Sequence, residues 1–256
     1  GPAPLTPVQR WFFDQVMEDA AHSNLSMMVE AAGPVDPVLL ERALHRLARH
    51  HDALRLRSTR GADGWTQSGT RDAAIPVETL DLAAIAEDER PAAREEAKAR
   101  AERGLELEAG PLLRALLLRG DGPDRVLLAT HHLVVDVVSW RVLLEDLETA
   151  YGQVRRGEPV KLPAKTTSFR AWAALLERHA ASDALRAQAG RGVAQRGEPG
   201  EAETPADHPG GANPTAERET FVVSLDVEET RGLLAEGLAM LRRVGESWIT
   251  VPVNRP

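Results

Sequence analysis

The 256-residue sequence contains no cysteine. Disulfides, thiolate nucleophiles and cysteine-ligated zinc or iron–sulfur centres are thereby excluded, so any chemistry must run on histidine, carboxylates or hydroxyls. Aromatic residues make up only 4% of the chain. Basic residues are also in deficit, 31 against 39 acidic ones, for a formal net charge of −8. That balance argues against broad, non-specific binding to phosphate backbones and leaves room for no more than a local basic groove. No apolar run approaches the roughly eighteen residues that span a bilayer, and the N-terminus lacks the charged and apolar regions of a signal peptide. A cytoplasmic location, with neither nucleic acid nor membrane as partner, is the expectation. Internal repeats are absent too. The chain opens Gly1-Pro2-Ala3-Pro4 rather than with Met, as a segment of a longer polypeptide or a tag remnant would.

What is present suffices for one large domain or two small ones. Residues 5–20 gather Trp11, Phe12, Phe13, Val16 and Met17 behind Thr6-Pro7, which predicts a short capped helix whose aromatic cluster packs into the core. A strand is expected over 24–32. Asp36-Pro37 then starts a helix with Leu40, Leu44 and Leu47 on one face, ended by His50, His51 and Asp52. The alternation in 54–59 predicts a half-buried strand, with a hairpin-type turn at 61–64 before Trp65. Residues 86–103, rich in Ala, Arg and Glu, read as a solvated helix. Two continuous apolar strands, 112–119 and 125–130, are joined by GDGPD and imply a buried sheet centre. Amphipathic helices follow over 139–156 and about 168–181. Residues 188–218 hold few large apolar side chains and read as a mobile crossing loop. A strand at 219–225 and a helix from Asp226 close the readable part. The order of elements lacks a regular βαβ rhythm, so the expected class is an α/β (α+β two-layer) sandwich: a mixed sheet flanked by helices, not a doubly wound parallel sheet.

The densest polar cluster in an apolar setting is His131-His132-Leu133-Val134-Val135-Asp136-Val137-Val138-Ser139-Trp140. It lies where a buried strand ends and an amphipathic helix begins, a junction that can present a side chain to a cleft from rigid supports. Imidazole is the group best matched to proton transfer near neutral pH, and a nearby carboxylate can orient it. Residue chemistry alone leaves other readings open. The pair could be satisfied core histidines, with Asp136 or Ser139 capping the next helix. Metal ligation by His132 and Asp136 lacks a companion ligand pair at helical spacing, and a Ser-His-Asp triad lacks a nucleophile elbow at Ser139.

The run HHLVVDVVSWRVLLEDL resembles the HHxxxDxxSW signature of nonribosomal peptide synthetase epimerization domains, members of the condensation-domain superfamily. The HHxxxD core suits the whole superfamily, and Ser139-Trp140 followed by Arg141 tips the resemblance towards epimerization. Further segments match in order: LTPVQRWFFDQ at 5–15, the strand entry at His22, Asn24 and Ser26, HHDALRLR at 50–57, KTTSFRAWA at 165–173, DHPGG at 207–211 and VSLDVEET at 223–230. Together they cover about residues 4–232.

The resemblance implies a chloramphenicol-acetyltransferase-like fold with two lobes in a V and an active-site tunnel between them. On that reading, residues 4–187 form the N-terminal lobe, 188–218 the crossing loop, and 219–241 the strand and helix that begin the second lobe, with 242–256 unassigned. The implied reaction inverts Cα, L to D, in an aminoacyl or peptidyl thioester. No cofactor is bound directly: the substrate arrives on the phosphopantetheine arm of a carrier domain, and the implied partners are that carrier and neighbouring synthetase domains in antibiotic or other secondary metabolism.

His132 is the implied catalytic group. His131, Asp136, Ser139 and Trp140 are supporting, with Asp136 turned away to pair with Arg55 or Arg57; no metal site is expected, and His50 and His51 read as a helix end. Two departures stand out. Val137 occupies the position after the motif Asp where the family usually has Gly, which would strain the backbone if φ were positive or crowd the pantetheine arm. The EGHGRE-like second-lobe segment that carries the partner Glu is absent from the 256 residues, and neither Glu236 nor Glu246 stands in for it. The chain is accordingly expected to be incomplete for epimerization on its own. A carrier-docking or remnant domain without catalysis, and a peptide-bond-forming condensation domain, are the alternatives.

Overall fold

In a computed structural model of the chain, the described residues are 1–14, 23–188 and 226–232. Residues 1–205 and 206–256 form two separate compact units. The first holds almost all described elements. In chain order they are β1 (Pro2–Ala3), α1 (Pro7–Asp14), β2 (Asn24–Glu30), α2 (Pro37–His50), β3 (Leu56–Gly61), β4 (Gly64–Gly69), β5 (Val77–Asp81), α3 (Arg90–Arg103), β6 (Leu113–Arg119), β7 (Arg125–His131), α4 (Val137–Arg155) and α5 (Phe169–Ala180). In the second unit, α6 (Val227–Gly232) is capped by Asp226, whose Oδ1 accepts from the Glu228 and Glu229 amides at 2.8 Å each.

The main sheet runs β2-β7-β6-β5. Its β2–β7 and β7–β6 pairs are antiparallel and its β6–β5 pair is parallel, so it is mixed, as the element order predicts. Helices α2 and α4 cover one face. There Leu40, Leu44, Leu47, Leu143 and Leu147 meet Leu113, Leu117, Val126 and Leu128 in the largest core cluster. Helix α3 covers the other face, its Ala97 and Ala101 against Leu116, Leu118 and Leu127. The two central strands are thus buried on both sides, which is why they read as unbroken apolar runs. Small alanines let α3 lie close to the sheet, while Glu95, Glu96, Arg100 and Arg103 face water. The β6–β7 turn passes through Gly120 at φ 90°, where a Cβ would meet the Ala83 amide nitrogen at 2.5 Å, so only glycine fits.

A smaller sheet, β1-β4-β3, is antiparallel throughout. Helix α1 lies beside it through Phe13, which stacks on Trp65 with ring centroids 4.3 Å apart. Thr6 and Gln9 cap α1 reciprocally: Gln9 N donates to Thr6 Oγ1 at 3.4 Å, and Thr6 N donates to Gln9 Oε1 at 3.0 Å. Not every aromatic in this helix enters the core, because Trp11 on its outer side is 63% exposed. The expected strand at 54–59 also starts later, since Leu54 and Arg55 belong to a short 3-10 turn, Asp52–Arg55, that buries Leu54 before β3 begins. The expectations for Val16, Met17, His22, the loop over 188–218 with DHPGG at 207–211, the strand at 219–225, Glu236, Glu246 and the tail at 242–256 lie outside the described residues.

Candidate active site

Strand β7 ends at His131 and α4 begins at Val137, so the six residues 131–136 turn the chain from sheet to helix. Most backbone amides in this turn have a fixed partner. The Val134 amide donates to His131 O at 3.1 Å, and the His132 amide donates to Ser23 O at 2.8 Å. Leu133 O accepts from Gln9 Nε2 at 3.2 Å, which ties the turn to α1 across 124 residues of sequence. Gln9 is itself only 2% exposed and accepts from Gln67 Nε2 at 2.8 Å. A loop whose backbone is satisfied in this way holds its side chains in place.

The two histidines have opposite environments. His131 is fully buried, lies edge-on to Phe12 with centroids 5.8 Å apart, and its Nδ1 accepts from the Leu133 amide at 3.1 Å. It fits the description of a satisfied core histidine. His132 is exposed, and its Nδ1 lies 3.0 Å from Val135 O. A carbonyl can only accept, so Nδ1 must carry the proton and the neutral ring offers Nε2 as its base. The turn therefore selects the tautomer of the side chain that faces solvent.

Asp136 and Ser139 form a capping box at the start of α4. Asp136 Oδ1 accepts from the Ser139 amide at 2.7 Å and from the Ser139 hydroxyl at 2.6 Å, while the Asp136 amide donates to Ser139 Oγ at 3.3 Å. The Ser139 hydroxyl, then its amide, with a smaller contribution from the nearby His132, hold the Asp136 carboxyl below the usual carboxylate range. This corrects the expected ion pair. Arg55 donates instead to Ala48 O at 2.8 Å and to the carbonyls of Thr70 and Arg71, and Arg57 donates to Ala109 O at 2.8 Å and Leu56 O at 2.6 Å. Both guanidiniums stitch backbone segments together, and the carboxylate is taken by the exposed amides of its own helix. The same geometry removes the triad reading, because the Ser139 hydroxyl points at Asp136. Trp140 is 4% exposed and packs into the main core, anchoring the first turn of α4.

Val137 opens α4 with helical backbone and a side chain 75% exposed. The anticipated strain does not arise, since a first helical position has negative φ. Valine's isopropyl group stands at the surface beside the His132 turn, as does Val138 at 78% exposure.

Outside this turn, sequence spacing misses two functional-looking contacts. One is Gln9, whose only local signal is the Thr6-x-x-Gln9 capping pattern. The other is a cluster of His50, His51 and Asp146, drawn from residues 95 apart: His51 Nε2 lies 2.7 Å from Asp146 Oδ2. Burial lowers the His51 pKa more strongly than the Asp146 contact raises it. Among the described residues this is the one group of three side chains arranged as a metal could use them, and it does not include His132 or Asp136. Of the other motif segments, Ser168 caps α5 through the Ala171 amide at 3.2 Å, and Asn24 and Ser26 turn from β2 towards Glu102 at the end of α3. No described helix is long and apolar enough to cross a membrane.

A mixed sheet flanked by helices, with an HHxxxD turn between a central strand and a long helix, defines a lobe of the condensation-domain class. The chain belongs to the condensation-domain family, whose model matches residues 1–235. It is 40% identical over 247 residues to a linear gramicidin synthase of Brevibacillus parabrevis, covering 94% of this chain and 3% of that protein. It is 39% identical over 240 residues to a chondramide synthase of Chondromyces crocatus, covering 91% of this chain and 6% of that one. Among solved structures it is similar to the epimerization domain from the third module of tyrocidine synthetase B, with a TM-score of 0.68 and 35% identity over 75% of this chain and 42% of that domain. The starter condensation domain of rhizomide synthetase, at 23% identity and a TM-score of 0.63, shares the fold. The chain thus spans a few per cent of the length of these synthetases and less than half of the solved epimerization domain.

Proposed function

We propose that this chain is the N-terminal lobe of an epimerization domain in a nonribosomal peptide synthetase, acting on an aminoacyl or peptidyl thioester borne on the phosphopantetheine arm of a carrier domain. The observation that carries the reading is His132: exposed, held by a satisfied turn, and fixed with its basic nitrogen at Nε2. Ser139-Trp140 after HHxxxD, and the likeness to an epimerization domain, support epimerization over condensation.

The chemistry asks for little more than a placed base. A Cα–H next to a thioester carbonyl is a weak carbon acid. Nε2 of His132 takes that proton, the electron pair moves onto the carbonyl oxygen as an enolate, and the resulting imidazolium helps to stabilise the charge. Return of a proton to the opposite face gives the D-centre. That second donor is the partner Glu of an EGHGRE-like segment, which is not among these 256 residues.

The test loads a carrier protein with an L-aminoacyl group and follows the D-product by chiral chromatography, with the chain alone and with a polypeptide supplying that segment. Turnover is expected only in the supplemented reaction, and His132→Ala should lower it by about 10²–10⁴-fold. Turnover unaffected by His132→Ala would overturn the assignment of the base. A peptide product formed from donor and acceptor carriers would favour condensation, and carrier binding with no turnover in either mixture would favour a docking domain.

A further inference from the structure

Helix α2 ends at His50, and His51 caps it in extended backbone (φ −91°, ψ 98°) with its amide bonded to Leu47 O. The two successive rings meet edge to face, 4.9 Å between centroids. Asp146 projects from the neighbouring α4, between the core residues Leu143 and Leu147, and is 6% exposed. One donor atom from each of His50, His51 and Asp146 lies within 4.8 Å of the other two. A simple structural pair would explain His51 and Asp146. It leaves the half-buried ring of His50 without a role, since that ring makes no side-chain hydrogen bond among the described residues.

We propose that His50, His51 and Asp146 bind a divalent first-row transition ion of the Zn²⁺ type, clamping the end of α2 to α4. The donor set is two imidazoles and one carboxylate, which suits zinc, nickel or copper better than the oxygen-seeking magnesium and calcium. Metal–ligand bonds of about 2.0–2.1 Å set neighbouring tetrahedral ligands about 3.3 Å apart. The 2.7 Å contact between His51 and Asp146 then opens by about 0.6 Å as the metal takes the place of the hydrogen bond, the neutral His51 ring binding through Nε2 with its proton moved to Nδ1. His50 closes in by at most about 1.5 Å, a ring rotation for a partly exposed side chain, and water completes the sphere. Lys165, whose charge is felt at His51, is paired with Asp52 and does not add an uncompensated charge. The site is independent of the epimerization reading. Its effect would fall on the helix pair that supports the His132 turn, because α4 starts directly after that turn and carries Asp146 on the same rod.

The test uses the full 256-residue chain, stripped with a chelator and titrated with ZnCl₂ by calorimetry and by thermal unfolding, with MgCl₂ as comparison. One Zn²⁺ per chain, a raised midpoint, and two imidazoles in the zinc X-ray absorption spectrum are expected. His50→Ala removes a half-buried ring at the end of α2, outside the core clusters, so the variant should fold like the parent while binding Zn²⁺ at least about tenfold more weakly. Asp146→Asn should weaken binding as well, and His132→Ala should not. No saturable Zn²⁺ binding, or affinity unchanged in both His50→Ala and His51→Ala, would overturn the site.

Discussion

Asp136 shows how one side chain can be claimed by two physical demands. An arginine across the fold offers a full charge, but the first turn of α4 offers unsatisfied amides, the positive end of the helix dipole and a serine hydroxyl within 2.6 Å. The helix wins because its donors sit next to the carboxylate in sequence and need no ordering of a long side chain. Asp136→Asn keeps a capping acceptor but loses the charge, and Asp136→Ala loses both, at a cost of about 1 kcal/mol. The pH dependence follows from the direction of the shift. A carboxyl held below its ordinary range stabilises the fold fully at neutral pH, and that contribution is lost as the pH falls through the folded-state value. Denaturation midpoints of the wild type and Asp136→Asn should therefore differ at pH 7 and converge in strong acid. A gap that stayed constant with pH would assign the effect to shape alone.

Between elements, the His132 turn depends on a contact that no local pattern announces. Gln9 reaches from α1 to Leu133 O while accepting from Thr6 and Gln67, so it satisfies three segments at once from a buried position. Gln9→Ala should leave Leu133 O and the Thr6 amide without this partner and cost about 1–3 kcal/mol, read as a lower urea midpoint with an unchanged m value. The effect on the proposed reaction should differ in kind. Carrier affinity should hold while turnover falls, because the variant loosens the support of His132 without touching its ring. Equal losses in both would mark Gln9 as purely structural. The arginines of the LRLR segment work similarly between elements, Arg55 tying α2 to the end of β4 and Arg57 tying β3 to the chain before β6.

At the scale of the whole molecule, stability rests on a four-stranded sheet sealed on both faces. Leu117 lies fully buried on the α2–α4 side, and Leu116 and Leu118 are equally buried on the α3 side. Leu117→Ala should cost about 2–5 kcal/mol, a large part of the stability of an ordinary domain. Thermal unfolding would check it, and a loss below about 1 kcal/mol would mean that the helices collapse onto the space left behind. The sheet also places the candidate site. One of its two doubly covered strands, β7, leads directly into the 131–136 turn, so the side chain proposed to do the chemistry stands at the end of a strand buried on both faces.

Much of this is legible in the chain itself, for a reason that holds across its elements. Period-2 and period-3.6 patterns, caps such as Asp36-Pro37 and Ser168, and the glycines of the 120–124 turn report conditions that neighbours in sequence impose on one another. The strand-to-helix junction at 131–137 and the mixed, helix-flanked sheet are readable from them, and the HHxxxD run points to the condensation-domain family because its residues are contiguous. What only the tertiary structure decides is partner choice over distance. It buries His131 and exposes His132, gives Asp136 to its own helix and not to Arg55 or Arg57, and brings Gln9 to Leu133 and Asp146 to His51. Those last two contacts join residues about a hundred positions apart, and their energies depend on burial and direction, which a linear pattern does not contain.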